Sequence, residues 1–210
     1  MILTVTKITV IRQLVAAVTL VVAIALPARA DDSPPRDVVE HLHAGLIDAM
    51  KAGKAVAFQV RYQRLDPVIA RAFNLPLMTR LSVGSGWTGL TDMQKAGLTE
   101  AFHRFSVATY ASRFASYDGE RFEAGSDTLA TQNGTIVHGA IVDKEGERVP
   151  LDYLLRQYDA EWRIIDVFLS GSISELAARR NEFSAVVQSQ GPDGLIKLLD
   201  QKTDTLSKAP

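Results

Sequence analysis

Cysteine is absent from the 210 residues. With it go disulfide staples, thiolate metal sites and thiol redox chemistry. Histidine is scarce, at four residues, and the formal charge is only −1, so the chain lacks the basic footprint of a nucleic-acid binder. The apolar run Leu14 to Leu26 is thirteen residues long, short of the roughly 20 that a spanning helix needs. What surrounds that run is informative. Lys7 and Arg12 precede it, and Pro27 followed by Ala28-Arg29-Ala30 ends it. This is the pattern of a secretory signal peptide cut after Ala30, set against the alternative of a retained anchor. Export is therefore expected. Without Lys7, Arg12 and Arg29, residues 31–210 carry 20 basic and 24 acidic residues, a net charge of −4.

Hydrophobic residues make up 47% of the chain and charged residues 22%, an ordinary globular balance that must reach stability by packing alone. Val39, Leu42, Leu46, Ala49 and Met50 recur at helical spacing, which predicts a helix from about Pro35 to Lys51 with Ser33 as its N-cap. Shorter helical pieces are expected at 67–73 and 76–81, each opened by a proline. Thr91-Asp92-Met93-Gln94 spells a capping box and predicts a long helix to about Tyr117. Leu98, Ala101, Phe102, Phe105, Ala108, Thr109, Ser112 and Ala115 share one face of it, and His103, Val107, Tyr110, Phe114 and Tyr117 run beside them. A helix apolar over that much of its circumference is covered on two sides, either as plain core or as the wall of a cavity.

From Arg121 onward the hydrophobic period changes to two. Asn133-Gly134 is a strong hairpin signal, and DKEGE (143–147) and YDAE (158–161) make further turns. Residues 121–170 thus predict four antiparallel strands in a meander. Gly171 closes the last, Ser172-Ile173-Ser174-Glu175 predicts a second capping box, and a final short helix follows Gly191-Pro192-Asp193-Gly194. The expected fold is a single α+β domain over 31–210, with a helical part at about 35–120, a sheet at about 121–170 and C-terminal helices at about 172–204. Its helices pack on one face of a curved, four-stranded antiparallel sheet.

Few residues suggest chemistry. Gly84-Ser85-Gly86-Trp87-Thr88-Gly89 matches G-x-G-x-x-G by letter, but no preceding strand or helix start supports a nucleotide site. His41 and His43 are two apart on a helix and cannot share a metal, while His103 and His138 fit surface or satisfied core positions. Asn133-Gly134-Thr135 is formally a glycosylation sequon that its turn chemistry already explains. Asp166 lies among apolar neighbours in EWRIIDVFLSGSISEL (161–176). Two readings stand: a general base with a raised pKa, or a structural carboxylate bonded to backbone amides or to Arg113, Arg156 or Arg163. The absence of a partner acid at motif-like spacing favours the second.

In order, Trp87 and Gln94, Phe102, Phe105, Tyr110-Ala111, Tyr117 and Gly119, Tyr158, Trp162, Asp166-Val167, Gly171-Ser172, Arg180 and Phe183, then Gly191 to Leu195, Leu199 and Lys202 make the chain resemble the MlaC family, the toluene-tolerance or ABC-transport auxiliary proteins. The resemblance spans about Leu65 to Lys202. Gly171-Ser172-Ile173-Ser174 departs from the family's usual GVSL, and FNLP (73–76) and SYDGERF (116–122) look more like the hopanoid-biosynthesis-associated branch, HpnM.

The resemblance implies a cone-like, NTF2-like periplasmic carrier without catalysis or cofactor. Its pocket would hold a phospholipid or hopanoid-type lipid, exchanged with an inner-membrane ABC transporter through an MCE-type component. The expected lining is Phe73, Trp87, Phe105, Tyr110, Phe114, Val137, Ile141, Tyr153, Leu155, Val167 and Leu169. Which face of the last strand meets the ligand, Ile165-Val167-Leu169 or Ile164-Phe168, is open, because a one-residue slip exchanges the two. The competing expectation is a small periplasmic enzyme on the same scaffold, with Asp166, His138 or Tyr153 as acid or base.

Overall fold

The structure is a computed structural model that describes residues 34–208. The expected leader, residues 1–30, and Ser33 lie outside the described residues. Helix α1 (Pro35–Ala52) starts at a Pro34 N-cap and buries Val39, Leu42, His43, Leu46, Ala49 and Met50 at helical spacing. Gly53, at φ 61°, ends it and begins a single 3₁₀ turn.

Helix α2 (Phe58–Ala72) corrects the proline-led piece expected at 67–73: Pro67 sits inside the helix. An interior proline costs about 3 kcal/mol or more, and tertiary anchoring offsets it. Leu65, Ile69 and Ala72 are buried along one face. On the same stripe, buried Arg61 donates to Gly53 O (3.2 Å), Val56 O (2.7 Å) and Ala111 O (3.1 Å), tying three segments together. Helix α3 (Leu75–Val83) is capped by the Asn74 side chain, which accepts from Leu77 N. The glycine motif 84–89 forms a 3₁₀ turn that follows α3, with no strand before it among the described residues and no helix starting within it.

Helix α4 (Asp92–Arg113) carries the expected capping box, with Gln94 N donating to Thr91 Oγ1 and Thr91 N donating to Gln94 Oε1. It stops at Phe114, three residues before the expected end. The chain then makes five antiparallel strands, not four: β1 (Arg121–Thr131), β2 (Gly134–Val142), β3 (Arg148–Tyr158), β4 (Glu161–Leu169) and a two-residue β5 (Ile173–Ser174), in sequential order. Helix α5 (Glu175–Ser207) is broken at Gly191, where φ is 72° and Pro192 restarts the helix. Its cap is Ser174, accepting from Ala177 N, not the expected Ser172. Residues 173–174 pair with Leu169 and Phe168 first, which delays the helix by two residues.

The two tight hairpins reverse their expected glycine logic. At the β1–β2 turn Thr131 pairs with Gly134 across Gln132-Asn133, so Gly134 is the first residue of β2. Glycine is required there because a Cβ would lie 2.2 Å from Leu155 O on the adjacent strand. The turn with two positive φ values is instead Asp159 (47°) and Ala160 (68°), between β3 and β4.

The helices pack on one face of the sheet. Val137, Tyr153 and Val167 form a cross-strand row on it, flanked by the pairs Leu155–Ile164 and Leu151–Leu169. Ile165 is an extra residue in β4 opposite the Leu154–Leu155 step. Such a bulge bends the strand and shifts the side-chain alternation. The helical layer is fastened to the same strand where Asn74 N donates to Ile164 O at 2.9 Å and Arg163 donates to the carbonyls of Ala70 and Arg71.

Candidate functional site

A cavity of about 190 Å³ lies between this sheet face and the helices. Its walls are mostly aliphatic and aromatic: Leu46, Ile69, Phe73, Leu75, Met78, Tyr110, Phe114, Ile141, Leu151, Tyr153, Val167 and Leu169. Seven of the residues expected to line a pocket are therefore brought together, namely Phe73, Tyr110, Phe114, Ile141, Tyr153, Val167 and Leu169. The strand-face question resolves through the bulge. Ile164 lies on the same face as Val167 and Leu169, although an unbulged strand would put it opposite.

Four expected residues sit elsewhere. Trp87, held by the 3₁₀ turn, borders a shallow hollow with Arg80 and Arg180. Phe105 turns toward α5, its ring 6.4 Å from that of Phe183. Val137 and Leu155 are on the correct face but fully buried in packed core.

Sequence reasoning missed the polar residues of the cavity. Ser106, Thr109 and Arg113 of α4 and Glu175 and Arg179 of α5 complete its lining. A signal existed: 106, 109, 110 and 113 follow the i, i+3, i+4, i+7 rule for one helix face, and 175 and 179 are i, i+4. Glu175 links the two arginines, 3.6 Å from Arg113 Nη1 and 3.8 Å from Arg179 Nη2. Arg179 also approaches Ser106 Oγ at 3.5 Å and lies over the rings of Phe102 and Phe105.

Farther along the wall, Tyr153 shares a 2.8 Å hydrogen bond with buried His43, which stacks on Phe122 at 4.7 Å. Burial lowers the His43 pKa from 6.5 to about 4, so the imidazole is neutral. Burial also raises the phenols of Tyr153 and Tyr110 above their ordinary value. Both remain protonated donors at physiological pH.

Asp166 is a structural carboxylate. Its Oδ1 accepts from Val167 N (2.8 Å) and Leu176 N (3.0 Å), and its Oδ2 from Ser174 Oγ, which ties the start of α5 to β4. None of the three suggested arginines is its partner: Arg113 faces Glu175, Arg156 donates to Asn133 O, and Arg163 pairs with Glu161. Asp166 and His138 belong to the strand positions opposite in alternation to Tyr153. The three suggested acid–base groups therefore do not converge on one surface.

His138 bonds to Asp152 in an exposed position, His103 to Asp66 at 2.6 Å, and His41 to Asp37 O. No group of three or more metal-ligating side chains occurs among the described residues. No helix among them is long and apolar enough to cross a membrane.

Comparison with solved structures finds a phospholipid-binding protein from Ralstonia solanacearum, determined in complex with a phospholipid. It is 21% identical, superposes with a TM-score of 0.71, and the match covers 83% of this chain and 99% of that one. At this identity the likeness establishes the fold, including helices on one side of an open antiparallel sheet. No curated protein matches the sequence. The family model described as MlaC protein matches residues 40–201, nearly the whole described chain, and the chain belongs to that family.

Proposed function

We propose that this protein is a lipid carrier that encloses acyl or polycyclic tails in the cavity between sheet and helices and has no catalytic step. The observation that carries the reading is the apolar cavity itself, walled by both the sheet and the helices. The Ralstonia relative, solved with a phospholipid, supports the same use. Carriage meets a physical need. At about 0.8 kcal/mol per methylene, exposing some thirty methylenes to water costs on the order of 24 kcal/mol, which forbids free diffusion of a two-tailed lipid.

At about 190 Å³ the cavity is smaller than the roughly 300–1,000 Å³ of a typical ligand pocket. Loading therefore requires the walls to part, with the flexible side chain of Met78 among those that can repack. The signal-peptide pattern supports a periplasmic location, and family membership supports exchange with an inner-membrane ABC transporter through an MCE-type component. The cargo is a phospholipid, with a hopanoid-type lipid favoured only by the FNLP and SYDGERF segments. Native mass spectrometry of protein purified from its own cell envelope tests the reading. A lipid adduct at near-stoichiometric occupancy is expected, and an empty protein that also refuses lipid from vesicles overturns it.

A further inference from the structure

The polar residues of the cavity are not scattered around its wall; Arg113, Glu175 and Arg179 contact one another, and their charges all act on the Tyr110 phenol. We propose that Tyr110, Arg113 and Arg179 form an anion subsite at this end of the cavity, which takes the phosphodiester of a lipid headgroup. The proposal rests on the lipid-carrying reading and deepens it by naming the side chains that take the charged end of the lipid.

Three observations carry it. First, the side chain of Arg179 is only 14% exposed, yet its contacts are weak. The 3.5 Å approach to Ser106 Oγ and the 3.8 Å separation from Glu175 are long for hydrogen bonds. A buried cation without close partners is costly, and a bound anion relieves that cost. Second, the Arg179 guanidinium lies over the rings of Phe102 and Phe105, at 5.3 and 5.2 Å, an apolar setting that supplies no acceptor. Among the described residues, the five N–H donors of the guanidinium have no acceptor closer than Ser106 Oγ at 3.5 Å. Burial pulls the Arg179 pKa down, against the opposing pull of the Glu175 and Asp166 carboxylates, but arginine stays protonated in proteins.

Third, Tyr110 lines the cavity, and among the described residues its hydroxyl makes no hydrogen bond, whereas the Tyr153 hydroxyl is engaged by His43. The phenol is thus a neutral donor waiting for an acceptor. Glu175 and, farther off, Asp166 act on Arg179 electrostatically, but neither gives its guanidinium a close hydrogen bond. Glu175 spaces the arginines and makes a more highly charged anion a poorer fit. The remaining walls carry no charged side chain, so the ligand carries its charge at one end only.

The test measures binding of three probes to the lipid-stripped full chain: dioleoylphosphatidylglycerol, dioleoylglycerol with the same tails and no phosphate, and inorganic phosphate. The wild-type protein is expected to hold the phosphatidylglycerol at least about tenfold more tightly than the diacylglycerol, as charge-assisted hydrogen bonds imply. Tyr110→Phe combined with Arg113→Gln should bring that ratio close to one. Arg113→Gln alone, at a half-exposed position, should lower it severalfold and keeps the test readable if the double variant misfolds. Inorganic phosphate at millimolar concentration should not bind.

Equal affinity of the wild-type protein for both lipids overturns the subsite while leaving the carrier reading standing. A ratio unchanged in the variants overturns it as well. Tight binding of phosphate alone reassigns the cluster to a free anion. Refusal of both lipids by the wild-type protein overturns the carrier reading, and this inference with it.

Discussion

His43 offers a stability test whose sign and size follow from its position. The ring is 6% exposed, stacked on Phe122 and bonded to Tyr153. Burial lowers its pKa from 6.5 to about 4. A group with a depressed folded pKa binds its proton more readily in the unfolded chain. Its contribution to stability is therefore intact above pH 6.5 and is lost as the pH falls toward 4. A shift of about 2.5 units corresponds to about 3 kcal/mol in full, of which about 2 kcal/mol is already gone at pH 5. Against a typical total of about 5–15 kcal/mol this is a large share.

Urea titration at pH 8 and pH 5 measures it. With a slope of about 2 kcal/mol per molar, His43 alone should move the midpoint by about 1 M. To isolate the His43 contribution, the wild-type protein is compared with His43→Gln, which keeps a polar partner for Tyr153. The variant is expected to be less stable at pH 8 and to lose about 2 kcal/mol less than the wild type on acidification. Parallel losses in the two proteins would falsify the argument. An NMR titration that placed the His43 pKa near 6.5 would do so independently, by showing that the ring reaches water.

Asp166→Ala removes the acceptor of three hydrogen bonds, two from backbone amides, and should cost about 3 kcal/mol in denaturant titration, with faster amide exchange at Leu176. Ala160→Gly relieves a φ of 68° and should stabilise by about 1 kcal/mol, seen as a melting temperature higher by about 2–4 °C. Gly134→Ala drives a methyl group to within 2.2 Å of Leu155 O and should destabilise by about 2 kcal/mol or more, read from the same melts.

Periodicity made most of the fold legible before any coordinates. The capping box at Thr91-Gln94 fixed the start of α4, the buried stripe of α1 was readable residue by residue, and the change of period at Arg121 located the meander. What was missed depended on contacts distant in sequence. Pro67 argued for a helix start, but Arg61 reaches across to Ala111 and stabilises the turns that precede the proline. The Gly134 signal was real but had a different cause, the close approach of β3, which no dipeptide rule contains. For the cavity, apolar spacing found much of the wall, whereas Arg113, Glu175 and Arg179 come together only through the packing of α5 on α4.

The bulge at Ile165 joins the two halves of the structural argument. Read as a regular strand, 161–169 offers either Ile164 or Val167 and Leu169 to the cavity face, never all three. One extra residue puts all three on that side and bends β4 where the α2–α3 junction docks against Ile164. Beyond the bulge, Asp166 faces away from Tyr153, with its carboxylate on Ser174 and the amide of Leu176. Those bonds fix the first turn of α5, and that turn carries Glu175, with Arg179 one turn later. A carboxylate that resembled a catalyst in the sequence thus acts one step removed from the cavity. It holds the helix that brings the charged residues to the cavity, so the apolar wall and its polar end both follow from a single inserted residue in the last long strand.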